Sequence, residues 1–171
     1  AQGLASLAWA FAAGRADAPE FLRALASEAR ARPDEFSAQA LANFVWALAT
    51  TRTRDDALMR CIAPIVANRL ESFEPQGLSS VAWSFARIGP EDVQPSVASG
   101  LAAFAARDLG RFSSRSLANL AWASVSCLVH GQQERDAHMR LLRGVAAEMD
   151  ARLRGRGSVG TASPQSLAKD V

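Results

Sequence analysis

The chain has no tyrosine, two histidines, two cysteines and a single lysine, Lys169, among its 19 basic residues. Cys61 and Cys127 are too few for a disulfide framework, which leaves a reducing compartment or core thiols as their setting. Two histidines and no Ser/His/Asp arrangement leave catalysis without a candidate site, so a non-enzyme without a cofactor is expected. Val, Ile and Thr together number 17 against 36 Ala, a shortage that excludes a strand-built fold and predicts an all-α one. Long apolar runs are missing too. Uncharged stretches such as 36–51 are broken by Ser, Gln, Asn and Thr and fall short of the roughly 20 apolar residues of a bilayer-spanning helix, so no membrane partner is expected. With 19 basic and 17 acidic residues the net charge is only +2, below the surplus of proteins that hold nucleic acid by bulk electrostatics. Any such role must come from arrangement.

What is present is an apolar half, 49% of 171 residues, at zero mean hydropathy, which suits one globular domain of moderate size. The four tryptophans stand at 9, 46, 83 and 122, at intervals of 37, 37 and 39 residues. Regular spacing of this size marks stacked structural units. The expected organisation is a single right-handed α-solenoid over 1–171, built of helix-turn-helix repeats of about 37–39 residues. Its units are 1–36, 37–73, 74–112 and 113–162, the last with an insertion, followed by a partial fifth unit at 163–171.

Each unit reads as two helices. Ser37, Glu74, Ser113 and Ser163 take the N-cap of the first, and Pro75 and Pro164 the first helical position. Phe36, Phe73 and Phe112 precede the cap at the spacing of a hydrophobic staple onto Leu41, Leu78 and Leu117. Second helices are expected over about 19–32, 55–70, 95–109 and 136–154, with Asp55-Asp56 at one N-terminus and Pro64 bending that helix. The fourth unit carries extra residues near 131–134 and after its second helix. There 152–160, basic and glycine-rich, reads as a mobile loop.

The first helices carry almost no charge, and a polar stripe runs along them at i, i+4: Gln2 and Ser6, Gln39 and Asn43, Gln76 and Ser80, Arg115 and Asn119, and Gln165 and Lys169. The stripe either bonds neighbouring helices to one another or forms a ladder of base contacts, one per repeat, as in helical repeats that read single-stranded RNA. The tryptophans, at a fixed helical position, read as equivalently buried core rather than stacking platforms. Arg15, Arg52, Arg54 and Arg87, near the ends of first helices, and Arg152, Arg154 and Arg156 in the expected loop are candidates for phosphate contact. Arg32, Arg69, Arg107, Arg111 and Arg115 would line the edges, and the plainer role of all edge arginines is to offset helix dipoles and pair with Asp34, Glu35, Glu71 or Asp108. Gly155 to Gly160 spells GxGxxG, but that fingerprint works only between a strand and a helix. Cys127, His130 and His138 lack a fourth ligand and zinc-site spacing, so no metal site is expected.

The core Pro75-Gln76-Gly77-Leu78-Ser79-Ser80-Val81-Ala82-Trp83-Ser84-Phe85-Ala86, echoed in the other units, resembles the octotricopeptide repeats of algal organelles and the related repeats of alveolates. Tetratricopeptide units are shorter and rely on Tyr, and pentatricopeptide units lack this Leu-Ala to Trp-Ala signature. The resemblance implies paired helices in a superhelix, an organellar address, mitochondrial before chloroplast, and binding of single-stranded or ribosomal RNA. Organellar ribosomal proteins are implied as neighbours. Arg115 in place of the usual Gln and the stretched fourth unit depart from the pattern. The sequence opens within a helix and shows no Arg- and Ser-rich transit segment, which is expected to have been removed or to lie outside this piece. The alternative is a scaffold that offers its groove to a protein subunit.

Overall fold

A computed structural model of the protein describes residues 1–89, 91, 94–128 and 135–158. These form eight α-helices and, among the described residues, no strand: α1 (Gln2–Ala13), α2 (Pro19–Ala31), α3 (Ala38–Thr50), α4 (Asp56–Asn68), α5 (Pro75–Ile88), α6 (Gln94–Ala105), α7 (Ser114–Leu128) and α8 (Arg135–Ser158). The fifth unit at 163–171, with Ser163, Pro164, Gln165 and Lys169, lies outside the described residues, as does the insertion at 131–134.

The odd-numbered helices form one row and the even-numbered a second. In the first, α1 packs on α3, α3 on α5 and α5 on α7; in the second, α2 meets α4, α4 meets α6 and α6 meets α8. A single apolar cluster fills the space between. Position for position the first helices are equivalent. Two residues before each tryptophan, Phe44, Val81 and Leu120 are buried, Phe44 with its ring against Phe36 of the preceding unit, whereas Leu7, with no unit before it among the described residues, is 47% exposed.

Local chemistry sets the helix boundaries. Ser37 Oγ accepts from Ala40 N–H at 3.2 Å, Ser113 Oγ from Ser116 N–H at 3.1 Å, and Asp55 Oδ1 from Leu58 N–H at 2.9 Å, each satisfying a donor that the first turn leaves unpaired. Glu74 holds the N-cap position without a side-chain bond, and Pro75 behind it needs no N–H partner. Phe36, Phe73 and Phe112 are all buried, and the Phe36 ring lies 5.5 Å from that of Phe44.

Two boundaries differ from expectation. The second helices α2, α4 and α6 stop short of 32, 70 and 109, and a 3₁₀ turn follows each: Pro33–Glu35, Leu70–Ser72 and Leu109–Arg111. Pro33 keeps Arg32 out of the helical region, at φ −147°. In the next two units the turn lets Leu70 with Phe73, and Leu109 with Phe112, pack on the core together. The second difference concerns 152–160. Residues 152–158 are not a loop, because α8 continues through Ser158, and only the remainder lies outside the described residues. Ion pairs Arg152–Glu148 at 2.7 Å and Arg154–Asp150 at 2.8 Å, both i, i+4, favour the helix despite Gly155.

Candidate nucleic-acid interface

On each first helix, the positions seven and three residues before the tryptophan, the tryptophan itself and the position four after it share one face, since steps of four, three and four residues stay on one side of an α-helix. Neighbouring helices lay these positions side by side into rows. The rows wall a groove of 730 Å³, to which α3 gives Asn43, Trp46 and Thr50, α5 gives Gln76, Ser80 and Trp83, and α7 gives Arg115 and Asn119, with Trp9 at one end. Gln2, Ser6 and Gln39 are exposed on α1 and α3 but do not wall this stretch.

Asn43, Ser80 and Asn119 are half-buried, and among the described residues none of these side chains, nor that of Gln76, has a hydrogen-bond partner. Their serine neighbours behave otherwise. Ser79 Oγ donates to Gln76 O at 2.9 Å, Ser84 Oγ to Ser80 O at 2.7 Å, and Ser113 Oγ to Ser116 Oγ at 3.0 Å. Arg115 sits in the first turn of α7, where the positive end of the helix dipole disfavours a cation.

The tryptophans overturn their expected place. They are not equivalent core residues: Trp9 is 49% and Trp122 44% exposed, while Trp46 and Trp83 are half-buried in the groove wall. The core positions are instead the flanking ones, such as Phe44 and Phe85. The spacing carried the signal, for each tryptophan lies three residues beyond the Ser or Asn of the polar stripe and belongs to the same face. Trp83 and Trp122 approach to 6.2 Å between ring centroids at a 43° tilt, within the range of favourable aromatic pairs. Arg87 covers the Trp83 ring at 5.1 Å, a cation–π contact.

Arginines hold the carboxyl ends of these helices. After α1, Arg15 N–H donates to Ala12 O at 3.2 Å and Ala16 N–H to Phe11 O at 3.0 Å; after α3, Arg52 N–H donates to Ala49 O at 3.3 Å and Thr53 N–H to Leu48 O at 2.9 Å. Both are Schellman caps, whose turning residue adopts the left-handed conformation that glycine prefers. Here that residue is Arg15 at φ 52° and Arg52 at φ 57°, each at a cost of about 1 kcal/mol relative to glycine. Arg54 is held by Asp56 through Nε at 2.6 Å and Nη2 at 3.2 Å, and that hydrogen bond and charge push its pKa further above the ordinary arginine value. Arg87 Nε donates to Ala49 O at 3.0 Å, tying α5 to the end of α3. Arg52, Arg54 and Arg87, with Ile88, wall a hollow of 360 Å³.

The three C-terminal arginines are redistributed. Arg152 is a structural clamp rather than a free phosphate contact: besides Glu148 it bonds Phe112 O at 2.8 Å and Gly110 O at 3.3 Å. Arg69 does the same in the second unit, where its Nη1 bonds Phe36 O at 3.2 Å and its Nη2 lies 3.6 Å from Asp34. Arg154 is exposed and paired with Asp150, and the side chain of Arg156 lies outside the described residues. Of the histidine and cysteine grouping, Cys127 and His138 are buried on α7 and α8, and His130 lies outside the described residues. No protein family, no curated protein sequence and no solved structure matches the chain.

Proposed function

We propose that the chain is a right-handed α-solenoid of octotricopeptide-like repeats that binds single-stranded RNA in its groove without catalysing a reaction. Its place is organellar RNA metabolism, or contact with ribosomal RNA in an organellar ribosome. One observation carries this reading: a row of half-buried Asn and Ser side chains, without a partner among the described residues, runs beside a row of partly open tryptophans. Bases of a single strand offer both a π-face and hydrogen-bonding edges, and aromatic stacking beside polar groups is how single strands are held. Among the described residues no helix is long and apolar enough to cross a membrane. The organellar address and the ribosomal neighbours rest on the motif resemblance alone.

Anisotropy of labelled RNA tests the proposal. Single-stranded RNA should bind and quench the emission of the groove tryptophans, affinity should fall as salt rises, and duplex RNA should bind more weakly. Absence of any affinity for single strands at low salt rejects RNA binding and leaves the scaffold alternative.

A further inference from the structure

Arg15 and Arg52 occupy the same slot in successive units, six residues after the tryptophan, both at positive φ. Among the described residues the fold makes no use of their charge: neither guanidinium has a hydrogen-bond or ion-pair partner, and both side chains are exposed. Each borders a hollow at the carboxyl ends of the first helices. One, of 240 Å³, lies where Arg15 meets Thr51 and Thr53 at the end of α3; the other, of 360 Å³, lies where Arg52 meets Arg54 and Arg87. A residue kept in a conformation that glycine would hold without strain, at two equivalent sites, points to a task for the side chain.

The larger hollow is cationic, and Arg87 links it to the groove. Arg54 is paired with Asp56, so among the described residues Arg52 is left as an uncommitted charge of the hollow, while Arg87 reaches from the hollow to the face of Trp83. We propose that Arg52 and Arg87 seat one backbone phosphodiester of a single strand whose bases lie along the tryptophan row, and that Arg15 provides the same seat one unit earlier. This rests on the groove being the RNA site. A guanidinium presents planar, forked donors that match phosphate oxygens, and a permanent charge that titration does not remove. Packed helices lie about 8–10 Å apart, so seats on successive units can follow one strand.

Anisotropy titrations of the full chain with a labelled mixed-sequence single-stranded RNA, over a range of salt, test the seat. Losing one phosphate contact should make the slope of log K against log salt shallower by about 0.7 and weaken binding about fivefold at 0.1 M salt, the deficit vanishing towards 1 M. Arg52→Gly is the deciding variant, because glycine suits the left-handed turn. It should melt at a higher temperature than the parent while binding more weakly, so that unfolding cannot mimic the result. Trp46→Leu should weaken binding with the slope unchanged. An unaltered slope in Arg52→Gly overturns the seat and leaves the groove standing, whereas failure of the parent chain to bind overturns both. Inorganic phosphate alone raising the parent's melting temperature as much as the oligonucleotide does, and not that of Arg52→Gly, would make this a free-phosphate site and overturn the strand assignment.

Discussion

Phe44→Ala and Trp46→Ala, two residues apart on α3, separate core from groove. Phe44 is 1% exposed with its ring against Phe36, so truncation removes a full aromatic side chain and leaves a cavity that neighbours only partly refill. Such changes cost about 3–5 kcal/mol. Trp46 is half-buried in the wall of an open groove, so its loss exposes no closed cavity. Half of a tryptophan's burial, about 75–125 Å² at about 25 cal/mol per Å², comes to about 2–3 kcal/mol as an upper bound. Urea unfolding followed by circular dichroism gives both numbers. The binding effects should run the other way: removing a stacking platform costs about 1–3 kcal/mol per base, or about 5–150-fold in RNA affinity, while Phe44→Ala, measured where it remains folded, should change affinity less than about twofold. Trp46→Ala costing as much stability as Phe44→Ala, with affinity untouched, would refute the placement of the tryptophan row in the binding face.

Arg152→Gln should destabilise the chain by about 1–3 kcal/mol, the cost of losing charged hydrogen bonds to Glu148 and the Phe112 carbonyl, and leave RNA affinity unchanged; a drop in affinity without a loss of stability would return this arginine to the phosphate contacts. Thr50 Oγ1 is buried without a partner where the groove wall meets the first hollow, so Thr50→Val, which keeps the shape, should be neutral or stabilise by up to about 1 kcal/mol. Destabilisation measured in the same urea series would show that the hydroxyl is bonded.

The periodicity of Trp and Leu revealed the all-helical pairs because one repeated pattern has to satisfy one repeated packing problem, and the caps at Ser37, Asp55 and Ser113 were legible because a short oxygen-bearing side chain before an apolar run has one efficient use. The 3₁₀ turns were not. Whether 109–111 extends a helix or closes a turn depends on Leu109 and Phe112 packing on the core together, a tertiary matter. Arg152 misled for a similar reason, since its partners Gly110 and Phe112 lie some 40 residues away and adjacent sequence shows only a basic, glycine-containing run. The tryptophans differ from expectation for another reason: a large aromatic favours the core by type, but the three-residue step from Asn43 or Asn119 sets it on the polar face.

That face constrains what the groove can recognise. Each inner helix is covered by its neighbours in the row, and α5 also by its partner α6, and packing there admits only apolar or small residues such as Phe44, Val81 and Leu120 at one position. The remaining side is free of that demand. On it tryptophan recurs in all four units although leaving an indole half in water forgoes burial, while the position three residues earlier alternates Ser6, Asn43, Ser80, Asn119. Under the proposed RNA reading, a constant aromatic beside a varying polar group would supply a grip common to every base and a discrimination that differs between units. Stacking tolerates any base, and the Asn amide holds its donor and its acceptor on separate atoms that can bind one base edge bidentately, whereas the single Ser oxygen, a rotating donor and acceptor, discriminates little. Sequence preference should therefore be concentrated at the nucleotides facing Asn43 and Asn119, with Ser6 and Ser80 nearly indifferent, and replacing Asn43 by Ser should flatten the preference at one nucleotide without shifting the salt dependence of binding.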